Sequence, residues 1–369
     1  MAEISELFRH GQSPWLDYLG RSLIVDGGLK RLINAGLRGV TSNPTIFYKA
    51  IAASDDYDDT IRDLLQADHD IAAAVLYRWL TVQDTQAAAD MLRGVYDSSN
   101  GVDGYVSLEV SPHLAYDTEG TVEAARHLWQ AVARPNLMIK VPATREGLPA
   151  IERLIAGGIN VNATLLFSVS RYQAVAEAYL RGLALNPEPG RVASVASFFV
   201  SRIDTKVDKL LDEIGTPQAL RLRGRIAVAS AKAAYSRFKV LSLTEAFARQ
   251  QARGARLQRP LWASTGTKNP QYSDVLYVEG LIGANTVTTL PPYTLDMFVQ
   301  HGEVRDSLET DEEAAYRELA ELRAVGVDLD GVALELEQEG VAAFADSHDR
   351  LIKALHEKRY VVAQAYAAT

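Results

Sequence analysis

The chain has 369 residues, 47% hydrophobic and 23% charged, with a formal net charge of −9 and no cysteine. This supports one large domain or two ordinary ones around a sizeable core, and excludes disulfides, thiolate catalysis and cysteine metal sites. The acidic balance argues against a general nucleic-acid or membrane-surface partner, but a few local cations could still hold a small anionic substrate.

The start of the chain, residues 1–13, is polar and lacks the apolar core of a secretory signal. No run approaches membrane-spanning length, so a reducing cytoplasm is the default expectation. Ser13-Pro14-Trp15-Leu16-Asp17-Tyr18-Leu19 predicts a short first strand with Asp17 at its end, although a capping or turn aspartate explains that residue equally simply. Residues 22–35 look helical up to Gly36. Gly39-Val40-Thr41-Ser42-Asn43-Pro44-Thr45 predicts a strand running into a loop, with Asn43 pushed toward an extended backbone by Pro44. Residues 55–94 are polar, alanine-rich and helically spaced, enough for more than one helix, with Trp79 and Leu80 among the expected buried positions.

Residues 104–112 form the next strand, whose alternation puts Glu109 on one face with Ser107 and Ser111. That face is solvated if the strand is peripheral and points inward if the sheet is a barrel. A helix over 121–132 follows, with Val122, Ala125, Leu128, Trp129 and Val132 on one side. Leu137-Met138-Ile139-Lys140-Val141-Pro142-Ala143-Thr144 then places one lysine inside a short apolar run closed by proline, which reads as a buried strand. Lysine is almost never fully buried without a reason. Burial disfavours the ammonium, and a neutral amine forms Schiff bases with carbonyl substrates. Taken alone, the octapeptide is better explained by a lysine that snorkels to water or pairs with a carboxylate; the company Lys140 keeps decides the matter.

A helix over 148–156 leads to the strand 159–167, which alternates cleanly with Asn160, Asn162 and Thr164 on one face. After a helix over 170–183, residues 192–202 predict a strand containing Ser197 that runs into a loop bearing Arg202. Residues 203–254 hold two or three helices. Residues 260–268 give a strand, then a glycine-containing loop with Ser264 and Lys268, and residues 284–292 the last strand after a short amphipathic segment at 275–282.

Eight strand candidates, each followed by a helical stretch, predict a parallel sheet closed into a (β/α)8 TIM barrel. No Gly-x-Gly-x-x-Gly follows an early strand, which disfavours a doubly wound dinucleotide fold. The expected organisation is a single domain over 1–369, with the barrel at about 15–300 and a more acidic helical extension at about 301–369. That extension reads as peripheral packing; a lid or dimer contact has no support in the sequence. Barrel enzymes act at the C-terminal ends of their strands, where Asp17, Asn43, Glu109, Lys140, Asn162, Thr164, Ser197, Arg202 and Lys268 all fall. One lysine can form an imine, two separated carboxylates can divide the proton transfers, and amides and hydroxyls can hold sugar hydroxyls. Arg202 and Lys268 can hold a phosphate. Together these describe a Schiff-base lyase or transferase acting on a phosphorylated sugar.

The motifs at 39–44, 107–112, 138–144 and 159–167 resemble those of transaldolase, and Arg259-Pro260-Leu261-Trp262-Ala263-Ser264 with Thr267-Lys268-Asn269-Pro270 is similar to its longer bacterial form. The resemblance runs from about Trp15 to Pro292. It implies a pentose-phosphate-pathway transferase that needs no cofactor. Such an enzyme moves a dihydroxyacetone unit from sedoheptulose 7-phosphate to glyceraldehyde 3-phosphate, giving erythrose 4-phosphate and fructose 6-phosphate. It further implies Lys140 as the Schiff-base lysine, Asp17 as the base at the C4 hydroxyl, and Glu109 acting through a water held by Thr164. Asn43, Asn162 and Ser197 would surround the three-carbon unit, and Arg202, with Ser264 and Lys268, the phosphate. The expected partners are sugar phosphates, without nucleic acid or membrane, in a monomer or homodimer. Many relatives carry Ser-Pro-Phe-Val-Gly-Arg where this chain has Ser197-Phe198-Phe199-Val200-Ser201-Arg202, and Lys268 stands where shorter members have an arginine. Two rivals are a sugar-phosphate aldolase of the same superfamily, which tends to carry tyrosine in place of Glu109, and a non-enzymatic sugar-phosphate-binding barrel with a structural Lys140. No His or Asp spacing resembles a metal site.

Overall fold

The computed structural model describes residues 3–52 and 54–367; residues 1–2, 53 and 368–369, included in the expected single domain, lie outside the described residues. Eight strands follow one another around a closed barrel: β1 (Gln12–Asp17), β2 (Gly39–Thr41), β3 (Tyr105–Glu109), β4 (Leu137–Pro142), β5 (Val161–Leu166), β6 (Ser194–Phe199), β7 (Arg259–Ala263) and β8 (Thr286–Leu290). Every neighbouring pair is parallel, and β8 closes on β1. The expected (β/α)8 architecture is borne out. Its strands are almost wholly buried, with apolar residues alternating with buried polar ones in β3 and β5, because helices cover the outside while side chains fill the inside.

Register sets which residues meet at the mouth. Glu109 of β3 pairs with Lys140 of β4, and Lys140 pairs with Asn162 of β5. By alternation, Trp15 and Asp17 share the inner face of β1. Trp15 fills the interior against Gly39, its register partner on β2; a Cβ there would sit 2.5 Å from the indole, so only glycine fits.

Several local expectations change. Residues 22–35 form two helices, Arg21–Val25 and Gly28–Asn34, because Gly27 takes φ +71° between them. The stretch 55–94 yields Asp58–Ala67 and Ala73–Ser98. Leu80 is fully buried, but Trp79 is 48% exposed. Leu76, Leu80 and Asp84 form the inward stripe at four-residue spacing, and Trp79, one position earlier, points about 100° away. Arg202 sits in the first turn of a helix, Ser201–Ile214, rather than in a loop. Residues 203–254 contribute four helical segments rather than two or three, the extra one being the single turn Pro217–Leu220 capped by Thr216.

The C-terminal region is not peripheral. Its last helix, Leu329–Ala367, has 39 residues and spans about 58 Å at 1.5 Å per residue. It packs on the helices Pro44–Ala52, Asp58–Ala67, Ala73–Ser98 and Ser201–Ile214, on the turn Pro112–Leu114, and on β5. Two of these helices and the turn lead directly away from strand C-terminal ends, so the helix runs along the barrel mouth. Among the described residues, no helix is long and apolar enough to cross a membrane.

The opposite end of the barrel is closed by a buried ion pair. Arg259 Nη2 lies 2.9 Å from Asp103 Oδ1, with side chains 12% and 1% exposed. Ser13 Oγ bridges them, donating to Asp103 Oδ2 and accepting from Arg259 Nη1. Removing one partner leaves the other charge buried alone, at a cost of about 3–5 kcal/mol. Asp103→Ala should therefore lower the urea midpoint by that equivalent. Equal stability of the variant would show that this pair does not hold the barrel floor.

Candidate active site

Lys140 stands near the end of β4 with its side chain only 5% exposed. Its Nζ donates to the carbonyl of Ser42 (3.1 Å) and lies 3.5 Å from Glu109 Oε2. Glu109, 3% exposed at its side chain, closes β3. Burial pushes its carboxyl up from 4.5 to about 7, against the opposing pull of Lys140; Asp17 adds a smaller upward push. Neither carboxylate oxygen has a hydrogen-bond partner among the described residues, and the same holds for the buried Oγ1 of Thr164. Asp17, at the end of β1, is also held above the usual carboxylate range by burial, with Lys140, Lys268 and Arg202 pulling the other way.

These groups surround a cavity of about 310 Å³ at the barrel mouth. Of the ten residues expected in the site, Asp17, Asn43, Lys140, Ser197, Arg202, Ser264 and Lys268 line it directly. Glu109, Asn162 and Thr164 stand behind the lining. Asn162 Nδ2 donates to Ser107 Oγ (3.0 Å), and its Oδ1 accepts from Ser197 Oγ (2.6 Å). One amide hydrogen and one lone pair remain available. Asn43 Oδ1 accepts from the N–H of Ile46, capping the helix Pro44–Ala52 and leaving its amide N–H groups for the cavity. A larger cavity of about 510 Å³ lies between the two last helices and the helix Val169–Leu185, away from this chemistry.

One rim of the cavity is cationic, with Arg202, Lys268 and Lys49. Burial lowers the basicity of Arg202, and Glu339, whose charge acts on it, is already paired with Lys206 at 2.5 Å. Ser201 hydrogen-bonds Ser264 Oγ (2.9 Å), tying the start of the Arg202 helix to the end of β7. Two tyrosines fasten the segment that follows Lys268. Tyr272 Oη donates to Asp208 (2.7 Å), and Tyr277 Oη to Asp204 (3.0 Å).

Backbone geometry completes the site. Leu165 and Ser264 adopt φ +60° and +56°, in the left-handed region that side chains rarely enter. At Leu165 the β5–β6 register also shifts, a bulge immediately after Thr164. The sequence reading missed Lys49, which lies on the helix after Asn43, and Phe344, which the C-terminal helix brings to the cavity. The Phe344 ring lies 5.9 Å from both Lys140 Nζ and the Arg202 guanidinium carbon. Lys49 could have been found from its place six residues after Asn43 on the helix that the Asn43-Pro44 motif starts; Phe344 carries no local signal.

Residues 14–355 match the family model described as transaldolase/fructose-6-phosphate aldolase. The chain belongs to this family. Among relatives named transaldolase, that of Thiobacillus denitrificans is 49% identical over 352 residues, covering 94% of this chain and 98% of its own. That of Frankia alni is 48% identical over 355 residues, covering 95% of each chain. That of Mycolicibacterium smegmatis is 46% identical over 357 residues, covering 95% and 96%. The transaldolase resemblance drawn from the sequence motifs is thereby borne out, and it extends past the barrel into the last helix.

Glu109 titrates across neutral pH while its neighbours do not release it from burial. The folded state keeps its proton up to about pH 7, whereas the unfolded chain loses it near 4.5. The folded state therefore binds more protons between these values, and this group lowers stability as pH rises through that window, with no further change above it. A glutamate carboxyl resonance titrating near pH 7 in carbon NMR, absent from Glu109→Gln, is the expected result. Titration near 4.5 would contradict the assigned environment. Asp204, pushed up to about 7 by burial, is distinguished by its aspartate shift.

Proposed function

We propose that this transaldolase-family chain transfers a dihydroxyacetone unit from sedoheptulose 7-phosphate to glyceraldehyde 3-phosphate through an imine on Lys140. The products are erythrose 4-phosphate and fructose 6-phosphate. The observation that carries the mechanism is the buried approach of Lys140 to Glu109 under a cavity with a cationic rim.

The amine of Lys140 attacks the C2 carbonyl of the ketose, and the resulting carbinolamine loses water to give a protonated imine. Glu109, poised near neutrality, moves the protons of addition and dehydration. A water held between its free carboxylate oxygens and Thr164 Oγ1 relays them; the lack of other hydrogen-bond partners for these atoms supports that path. Asp17 accepts the C4 hydroxyl proton as the C3–C4 bond breaks. The electron pair of that bond moves into the imine to form an enamine, and the shortened aldose leaves. The acceptor aldehyde then adds at the same carbon, Asp17 returns the proton, and hydrolysis restores the amine.

Asn43, Asn162 and Ser197 are the groups positioned for the hydroxyls of the three-carbon unit. Arg202 offers a planar fork for the phosphate, with Lys268 and Ser264 beside it and Lys49 adding charge. Phe344 shields the enamine from water, which favours transfer over release. The cytoplasmic location expected from the sequence belongs to this proposal; it rests on substrates of central carbohydrate metabolism.

The family description includes an aldolase activity, so the test separates transfer from release. Fructose 6-phosphate with erythrose 4-phosphate should yield sedoheptulose 7-phosphate, and fructose 6-phosphate alone should release little dihydroxyacetone. Rapid multiple-turnover release without an acceptor would assign the chain to the aldolase reaction instead.

A further inference from the structure

Three potential metal ligands gather where the last helix crosses the barrel mouth. His113 lies in the turn Pro112–Leu114, four residues after Glu109. His348 and Asp349 lie on the helix Leu329–Ala367, with His348 one turn beyond Phe344. One ligand atom from each falls within 4.8 Å of the others. Asp349 Oδ1 is 2.7 Å from His113 Nε2 and 3.6 Å from His348 Nδ1. The two imidazole rings stand edge to face, 5.5 Å apart at 81°.

The buried Nδ1 of His348 has no hydrogen-bond partner among the described residues. At 3.6 Å the carboxylate is too far to serve as one. A buried imidazole nitrogen without a partner, 3.6 Å from a carboxylate, has an unmet need that a cation satisfies. His113 and Asp349 have side chains 50% and 63% exposed, which gives the ion an entry path and leaves room for water as a fourth ligand.

We propose that His113, His348 and Asp349 form a site for a divalent transition ion of the zinc type, fastening the C-terminal helix to the turn after β3. Two imidazoles and one carboxylate suit zinc, nickel or copper, whereas calcium and magnesium need oxygen ligands. Zinc bonds of about 2.0–2.2 Å place tetrahedral ligands about 3.3 Å apart. The exposed Asp349 carboxylate reaches that spacing by turning away from His113. The clamp adjoins the reaction centre on both sides. The His348 ring packs at 5.2 Å against Tyr77, whose hydroxyl is made less acidic by burial and by the nearby Glu109 charge. On the helix itself, the preceding residue Ser347 is hydrogen-bonded to Thr45 (2.9 Å).

The experiment titrates EDTA-stripped, desalted full-length protein with zinc chloride by calorimetry, and repeats the titration with cobalt to read its coordination from visible absorption. One ion per chain, a four-coordinate cobalt spectrum and a rise in melting temperature with zinc concentration are expected. His113→Gln and His348→Gln should each weaken binding at least about tenfold, the loss typical for removing even a supporting contact of a metal ligand. Unchanged binding in both variants, binding of magnesium as tight as zinc, or no ion bound at 100-fold excess would each overturn the proposal. Circular dichroism of both variants confirms that a lost site is not a lost fold.

Discussion

The site depends on burying an amine and a carboxyl side by side in neighbouring strands. Lys140 and Glu109 are register partners, and both side chains are almost fully withdrawn from water. Desolvating two charges costs several kcal/mol per ion, and a 3.5 Å approach recovers only part of it. For Glu109, burial outweighs the attraction of Lys140, and the carboxyl keeps its proton to about pH 7. Such a carboxyl can accept and return protons at the operating pH without a large energy step, as imine formation requires. The same burial would serve poorly as a stability device. At the barrel floor, Arg259 and Asp103 make the tighter, bridged contact expected of a structural pair.

The rest of the molecule maintains that arrangement. Parallel register places Glu109, Lys140 and Asn162 side by side, and hydrogen bonds with Ser107 and Ser197 hold the Asn162 amide from two sides. Strain is located at the same end. Leu165 within β5 and Ser264 just after β7 hold left-handed backbone, where a bulge and a serine pair direct Thr164 and the start of the Arg202 helix. The C-terminal helix supplies an aromatic face 5.9 Å from the amine at the wall of the cavity.

Much of this was legible in the sequence because barrel strands announce themselves. Each is a short apolar run with polar residues at alternate positions, and the inward positions at their C-terminal ends named the site. Glu109, Asn162 and Thr164 were placed on inward faces by alternation, and Asp17, Lys140 and Ser197 by their positions in or at the ends of strand candidates. What the sequence concealed were relations between distant segments and departures from local preference. The helical period of 73–98 does not say which stripe is buried, so Trp79 was assigned to the core although Leu76 and Leu80 set the inward face. Phe344 looks like any apolar position of a long helix, and only packing brings it to Lys140. Left-handed Leu165 has no glycine to signal it. His113 and Asp349, 236 residues apart, give no spacing to recognise.

The central claim is that Lys140 carries the substrate covalently. It is tested most directly by incubating the protein with fructose 6-phosphate, reducing with borohydride, and mapping the modified peptide by mass. The account predicts a reduced three-carbon adduct on Lys140, absent from Lys140→Met. An adduct on a different lysine, or none while bound sugar phosphate is detected separately, would contradict it.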